Sequence, residues 1–290
     1  MHSVPCLLSV ALAAQIALAA PASPVADQRV DVSGHSIHYL EAGSGPPIVF
    51  LHGLGADARA WRLVLPALAS RHHVYAVDFL GFGQSDKPQI DYRVSTLSAF
   101  VGGFLDAAKI PRATLVGHSL GGWVAARFAS EHPGRIDRLV LVDSAGYRED
   151  QDRLARQMLS QMDPASAAAA EQFVASIRAM TPQQRQTVRG LAVAYFSRRL
   201  SRPDGYALAS LVESLLTDDE FLGPELKQIA APTLVIWGRN DTVMPLRAAE
   251  AFASDIAGAK KVVLDGCGHR PELDCPRAFT AALRDFLDRR

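Results

Sequence analysis

No Asp, Glu, Lys or Arg precedes Asp27, and the opening stretch instead carries an apolar, alanine-rich run from Leu7 to Ala20. That run falls short of the roughly 20 apolar residues a membrane-spanning helix needs. Small residues at Ala17 and Ala19 suit a signal peptidase, and a Pro/Ala/Ser-rich segment, 21–24, follows them. The usual basic start of a signal is missing, with only His2 in its place, and Gln15 interrupts the run. Residues 1–20 are nonetheless read as a secretory signal peptide. This predicts a secreted or periplasmic protein with no stable membrane span in the mature chain. Were the segment not a signal, the protein would be cytoplasmic.

Cysteine is scarce, at three residues. Cys6 lies at the front of the apolar run, which argues against a lipid anchor. Cys267 and Cys275 flank His269, and they form either a disulfide stapling that loop or two free thiols. No Cys/His cluster has ligand spacing, and His72-His73 reads as a surface pair before a strand, so no metal is expected. A charge excess of either sign is also lacking, since thirty basic residues face thirty acidic ones. That balance leaves no footprint for nucleic acid or an anionic membrane surface. There is no internal repeat, and no low-complexity tract beyond Ala167–Ala170.

What is present is core material. Hydrophobic residues make up 49% of 290, enough for one large α/β domain with an insertion or for two small domains. Strand candidates recur at Val30–Val32, Ile37–Leu40, Ile48–Leu51, His73–Val77, Thr114–Val116, Leu139–Val142, Thr233–Trp237 and Lys261–Leu264. Ser33-Gly34 forms a hairpin turn between the first two. Several of these runs are short and continuously apolar, as strands covered on both faces are. Ala58–Ser70, Thr96–Ala108, Gly122–Glu131, Leu246–Ala253 and Pro276–Asp288 fit helices between them. The alternation predicts a mostly parallel sheet flanked by helices. It stops after Val142: residues 147–226 hold no convincing strand and are divided by Pro164, Pro182, Pro203 and Pro224 into about four helices. They are read as a helical cap inserted after the sixth strand, with 27–146 and 227–290 forming the core.

The motif with most chemistry is Gly117-His118-Ser119-Leu120-Gly121, a G-x-S-x-G between a strand and a helix. A serine on so sharp a turn needs small neighbours, and its hydroxyl stands exposed near the N–H groups that open the helix. Serine is a poor nucleophile without a base, and the base needs an orienting acid. Asp241, in Trp237-Gly-Arg-Asn-Asp241, and His269, in Leu264-Asp-Gly-Cys-Gly-His269, both follow strand ends in glycine-rich turns. Ser119, Asp241 and His269 are the catalytic candidates, with Asp143 after another strand as the alternative acid.

These features together resemble the α/β-hydrolase family of the lidded, serine-nucleophile type. The resemblance rests on His52-Gly53 after a strand, Asp78-Phe-Leu-Gly-Phe-Gly-Gln-Ser85-Asp-Lys-Pro88, the turn around Ser119, Gly238-Arg-Asn-Asp241 and Gly268-His269, and it covers nearly all of the chain after residue 30. It implies an α/β-hydrolase fold and an oxyanion hole made by the backbone N–H groups of Leu54 and Leu120. Asp78 and Ser85 take a structural part. His52 and His118 are read as hydrogen-bonded scaffold residues around the site that border the substrate pocket, and Trp123 either lines that pocket or packs against the cap. Phe173, Ile177, Met180, Tyr195, Phe196, Leu211 and Leu215 either line that pocket or pack the cap. Arg198, Arg199 and Arg202 either meet an acidic substrate or form a solvated helix face. The expected function is cofactor-free hydrolysis of a small or medium apolar carboxylic ester through an acyl-enzyme. The alternatives are a carbon–carbon bond hydrolase of ring-cleavage diketones and a slow-turnover ligand receptor. Those carbon–carbon hydrolases commonly carry Trp after the catalytic His and Asn before the nucleophile, where this chain has Arg270 and His118. The oligomeric state is not set by the sequence.

Overall fold

A computed structural model of the chain describes residues 24–148, 181, 183, 203–217 and 220–289. The eight strands are β1 (Ala26–Val32), β2 (His35–Gly43), β3 (Pro47–Leu51), β4 (His73–Val77), β5 (Ala113–His118), β6 (Ile136–Val142), β7 (Thr233–Gly238) and β8 (Lys260–Leu264). They form one sheet in the order β1-β2-β4-β3-β5-β6-β7-β8. The hairpin β1–β2 and the pair β2–β4 are antiparallel, and every other pairing is parallel. All eight sequence candidates fall within these strands.

The apolar runs are continuous because both faces of the sheet are covered. Side chains alternate between two cores, as the two-residue strand period requires. Val49, Leu115, Leu139, Leu141, Val235 and Trp237 point to one face, whereas Ile48, Phe50, Val116, Val140, Leu234 and Ile236 point to the other. The first face is closed by α2 (Val94–Ala107), α3 (Leu120–Glu131) and α5 (Leu246–Asp255). The second is closed by α1 (Leu65–Leu68) and α7 (Pro276–Asp288), which sets Phe279, Leu283 and Phe286 along one stripe. Helix α3 is buried along nearly its whole length, which explains its small residues Gly121, Gly122, Ala125, Ala126 and Ala129.

The single helix expected over Ala58–Ser70 is two pieces, a 3-10 turn at Ala58–Trp61 and then α1. Pro66, at the start of α1, has no N–H to donate back to Arg62 O, so the hydrogen-bond ladder is interrupted between the two pieces. Of the expected cap, most lies outside the described residues, including Phe173, Ile177, Met180, Tyr195, Phe196, Arg198, Arg199 and Arg202. So does the expected signal peptide. The described part contains helix α4 (Gly205–Thr217), in which Ala207 and Leu211 are buried against the core and the Ser210 hydroxyl accepts a hydrogen bond from Tyr92 N at 3.0 Å. No described helix is long and apolar enough to cross a membrane.

Candidate active site

Every candidate group emerges just past the carboxyl end of a strand, the rim where open α/β sheets gather ligands. His52 follows β3, Asp78 follows β4, Ser119 follows β5 and Asp143 follows β6. Asp241 follows β7 and His269 follows β8.

Ser119 sits at φ 52, ψ −115, a strained conformation for a residue with a side chain. Its backbone is held there from all sides. Ser119 N donates to Val142 O at 2.9 Å, and Ser119 O accepts from Gly122 N, Trp123 N and Ala145 N at 3.0–3.1 Å. The flanking glycines leave room for nothing larger. A Cβ at Gly117 would stand 2.2 Å from Gly121 O, and one at Gly121 would stand 2.3 Å from Leu51 O. The G-x-S-x-G pattern is therefore a packing requirement of the elbow.

Asp241 and His269 meet directly: His269 Nδ1 lies 2.8 Å from Asp241 Oδ2. The Asp241 side chain is 1% exposed and that of His269 is 18% exposed, so the ring faces the opening and the carboxylate stands behind it. Asp241 Oδ1 also accepts from Val243 N at 2.7 Å and Met244 N at 2.9 Å. Burial raises the Asp241 pKa, but the hydrogen bond and charge of His269 outweigh it and hold the carboxyl below its ordinary value.

Ser119 joins this pair through its neighbour. His118 Nε2 is 2.7 Å from His269 O, and the two rings lie with centroids 4.8 Å apart. Burial first, and the nearby His269 second, lower the His118 pKa to about 3, so the ring is neutral. A neutral ring facing a carbonyl must carry its proton on Nε2, which makes His118 the donor. Ser119 Oγ itself is not hydrogen-bonded to His269; such bonds often tighten only with substrate in place.

His52 is a brace. Its ring is fully buried, Nε2 accepts from Phe79 N at 3.1 Å, and Nδ1 therefore donates to Gly53 O at 2.8 Å. The N–H of Leu54 belongs to the same planar peptide as Gly53 C=O and points the opposite way. Fixing one end fixes the other. Neither the Leu54 nor the Leu120 N–H donates to an acceptor among the described residues.

Trp123, expected along the pocket, is instead a core residue. It is fully buried, its ring tilted against Phe221 with centroids 4.4 Å apart, and its N–H donates to Glu220 O. The same burial places His52 behind the site rather than on its wall. Asp78 and Ser85 are structural, as the resemblance implied: Asp78 accepts from Ala58 N, Gln84 N and His38 Nδ1, and Ser85 bridges Asp78 O to His38 N.

The two thiols left open by the sequence are joined: Cys267 and Cys275 form a disulfide with Cα atoms 5.8 Å apart. It closes the loop that carries His269. Inside the loop Gly268 N donates to Asp274 Oδ2 at 3.0 Å, and Asn240 N reaches across to Cys267 O at 2.9 Å.

Two buried acids, Asp143 and Glu272, flank the pair. Asp143 Oδ1 accepts from Gly238 N at 2.9 Å. Glu272, in the short helix α6 (Pro271–Asp274), is fully buried, with Arg270 Nε 3.6 Å from Oε1. Nothing in the sequence marks Glu272, because an acid three residues past a histidine has no pattern. Side-chain ligand atoms of Asp143, Asp241 and His269 all lie within 4.8 Å of one another, the one grouping among the described residues with that compactness. Their oxygens are engaged with N–H donors of the protein at Asp241 and at Asp143 Oδ1.

Sheet order, elbow and rim define an α/β-hydrolase. Residues 46–273 match the family described as the alpha/beta hydrolase fold, and the chain belongs to that family. It is 30% identical to 2-hydroxymuconate semialdehyde hydrolase of Pseudomonas sp. (strain CF600), over 91% of this chain and 95% of that one. Among solved structures it resembles a bacterial membrane phospholipase A (TM-score 0.67, 29% identity, 91% of this chain and 86% of that one). It also resembles the enol-lactonase of Burkholderia xenovorans LB400 (TM-score 0.68, 27% identity, 90% of this chain and 100% of that one).

Proposed function

We propose that the protein is a serine hydrolase that cleaves a carboxylic ester of a small or medium apolar substrate through an acyl-enzyme. The observation that carries the reading is the 2.8 Å Asp241–His269 hydrogen bond beside a serine strained at φ 52 on a strand-to-helix elbow. Ser119 is the nucleophile. His269 removes its proton as Oγ attacks the acyl carbonyl, while Asp241 keeps the imidazole in the Nδ1–H tautomer and stabilises the imidazolium that forms. The Leu54 and Leu120 N–H groups receive the oxyanion, each contributing about 3 kcal/mol to the barrier reduction. His269 then gives its proton to the departing alkoxide, and water repeats the sequence on the acyl-enzyme. No cofactor enters these steps.

A second reading, carbon–carbon bond hydrolysis, is the one the comparisons back more strongly: curated relatives 28–31% identical are named as hydrolases of 2-hydroxymuconate semialdehyde and of 2-hydroxy-6-oxo acids. Carbon–carbon cleavage differs in its proton demand, since the leaving carbon must be protonated, whereas an ester releases an oxygen anion that His269 can serve alone. His118 is neutral, tied to a carbonyl and unsuited to act as the additional donor. The substitution of Arg270 and His118 at the positions those hydrolases commonly fill with Trp and Asn supports the ester reading. The similarity to a phospholipase and a lactonase supports it too. A disulfide at the site supports the secreted or periplasmic location.

The test is hydrolysis of p-nitrophenyl esters of graded acyl length, with a 2-hydroxy-6-oxo-dienoate assayed in parallel and Ser119→Ala as control. Ester turnover that falls at least ~10³-fold in Ser119→Ala is the expected result. Turnover of the dienoate alone would replace the ester reading with the second one. Binding without turnover of either would point to a receptor.

A further inference from the structure

Asp143 has one oxygen that the fold explains and one that it does not. Its backbone lies at φ 42, an uncommon conformation for aspartate, and is pinned by Asp143 N donating to Ile236 O at 3.0 Å. Oδ1 accepts from Gly238 N at 2.9 Å, clamping the end of β6 to the turn that carries Asp241. Oδ2 is buried and receives no hydrogen bond from any donor. The groups that face it are acids and the histidine they serve: Asp241 from the turn after β7, His269 from the loop after β8, and Glu272 from α6, itself attended by Arg270.

An ionised Asp143 would place a full negative charge on a buried oxygen without a donor, a few ångströms from a second carboxylate. Two such charges side by side in a dry site do not both persist. One proton removes the conflict. On Asp143 it turns the orphan acceptor into a donor, and the acceptor beside it is Asp241. On Asp241 it would gain nothing, because both of those oxygens already accept from N–H groups.

Resting on the triad reading above, we propose that Asp143 is a positioning residue that stays uncharged through turnover and donates its Oδ2 proton to the Asp241 carboxylate. The pair then carries one negative charge, matched to the one positive charge that His269 acquires. Asp143 exchanges no proton with substrate; it fixes the carboxylate that fixes the imidazole. Consistent with this, burial and the Asp241 neighbour push the Asp143 carboxyl well above its ordinary range, while Asp241 is held below.

The test compares Asp143→Asn with Asp143→Ala in the full chain, using the ester that the wild type turns over. Asparagine copies the protonated acid, with an oxygen for Gly238 N and an N–H for Asp241. Its kcat is expected within about 3-fold of wild type, and its kcat/KM–pH profile is expected to overlay that of wild type. Asp143→Ala is expected to lose roughly 10- to 100-fold in kcat with little change in KM, and to move the acidic limb of the profile upward. If Asn is as damaging as Ala while Asp241→Asn stays near wild type, Asp143 is the ionised acid and the proposal is wrong. Failure of the triad reading shows separately, as activity surviving Ser119→Ala. Should Asp143→Ala not fold, infrared difference spectra between wild type and Asp143→Asn above neutral pH decide the matter. The C=O stretch of a protonated acid, lost in the variant, is expected; a carboxylate band in its place would overturn the proposal.

Discussion

The His118 ring is neutral across the neutral range, and its single donor is spent on the His269 carbonyl at 2.7 Å. A residue placed next to the nucleophile thus acts as a strut between the elbow and the histidine loop. Removing it in His118→Ala leaves a partly buried carbonyl without its donor, a loss of about 1–3 kcal/mol. We expect kcat on the preferred ester to fall roughly 10-fold or more at nearly unchanged KM. His118→Asn, which can still donate, should recover most of that loss. Equal damage from both would show that ring packing, not the hydrogen bond, is what matters. The motif around Ser119 was legible because each of its glycines answers to a clash between local backbones. The role of His118 was only half legible: a scaffold part was expected, but its partner lies 151 residues away.

Among elements, the loop from β8 to α7 is the one whose order rests on a covalent link. Cys267 and Cys275 are eight residues apart, and closing so short a loop removes roughly 2.5 kcal/mol of unfolded-state entropy on the chain-entropy account. Reduction should therefore lower the melting temperature and, because His269 lies inside the loop, lower kcat as well. The check is activity and thermal melts with and without a phosphine reductant, using Cys267→Ser/Cys275→Ser as the reduced reference. Unchanged kcat in that variant would show that Asp274, Asn240 and His118 hold the loop unaided. A second long-range device serves α2, whose first N–H groups, Val94 N and Ser95 N, are capped by Glu220 at 2.6 and 3.1 Å. The cap comes from 126 residues along the chain, beyond any local helix-start signal.

For the whole molecule, the acids buried behind the site couple stability to pH. Burial raises the Glu272 carboxyl from an ordinary 4.5 to about 7, although Arg270 and His269 pull it down. The folded chain thus keeps a proton that the unfolded chain releases above 4.5. Stability from this group is fully present below that value and is lost as pH rises through about 7, a total of about 3 kcal/mol. The raised Asp143 acts in the same direction, whereas the depressed Asp241 costs stability only as pH falls below the ordinary carboxylate range. Urea midpoints should decline from about pH 5 to pH 8 in wild type, and Glu272→Gln should flatten the decline. A midpoint that rises over that interval would mean Glu272 is ionised in the folded protein.

The strands, the two-faced cover of the sheet, the elbow and the rim positions of Ser119, Asp241 and His269 were determined by the sequence alone. Each depends on interactions within a few residues: a two-residue alternation, a clash between neighbouring backbones, a glycine turn after a strand. The tertiary structure alone decided that Trp123 belongs to the core and that Cys267 bonds Cys275. It likewise decided that His38 buttresses Asp78, Glu220 caps α2, and Asp143 and Glu272 converge behind Asp241. These outcomes turn on burial and on contacts between segments far apart in the chain, and neither quantity exists until the sheet has brought the segments together.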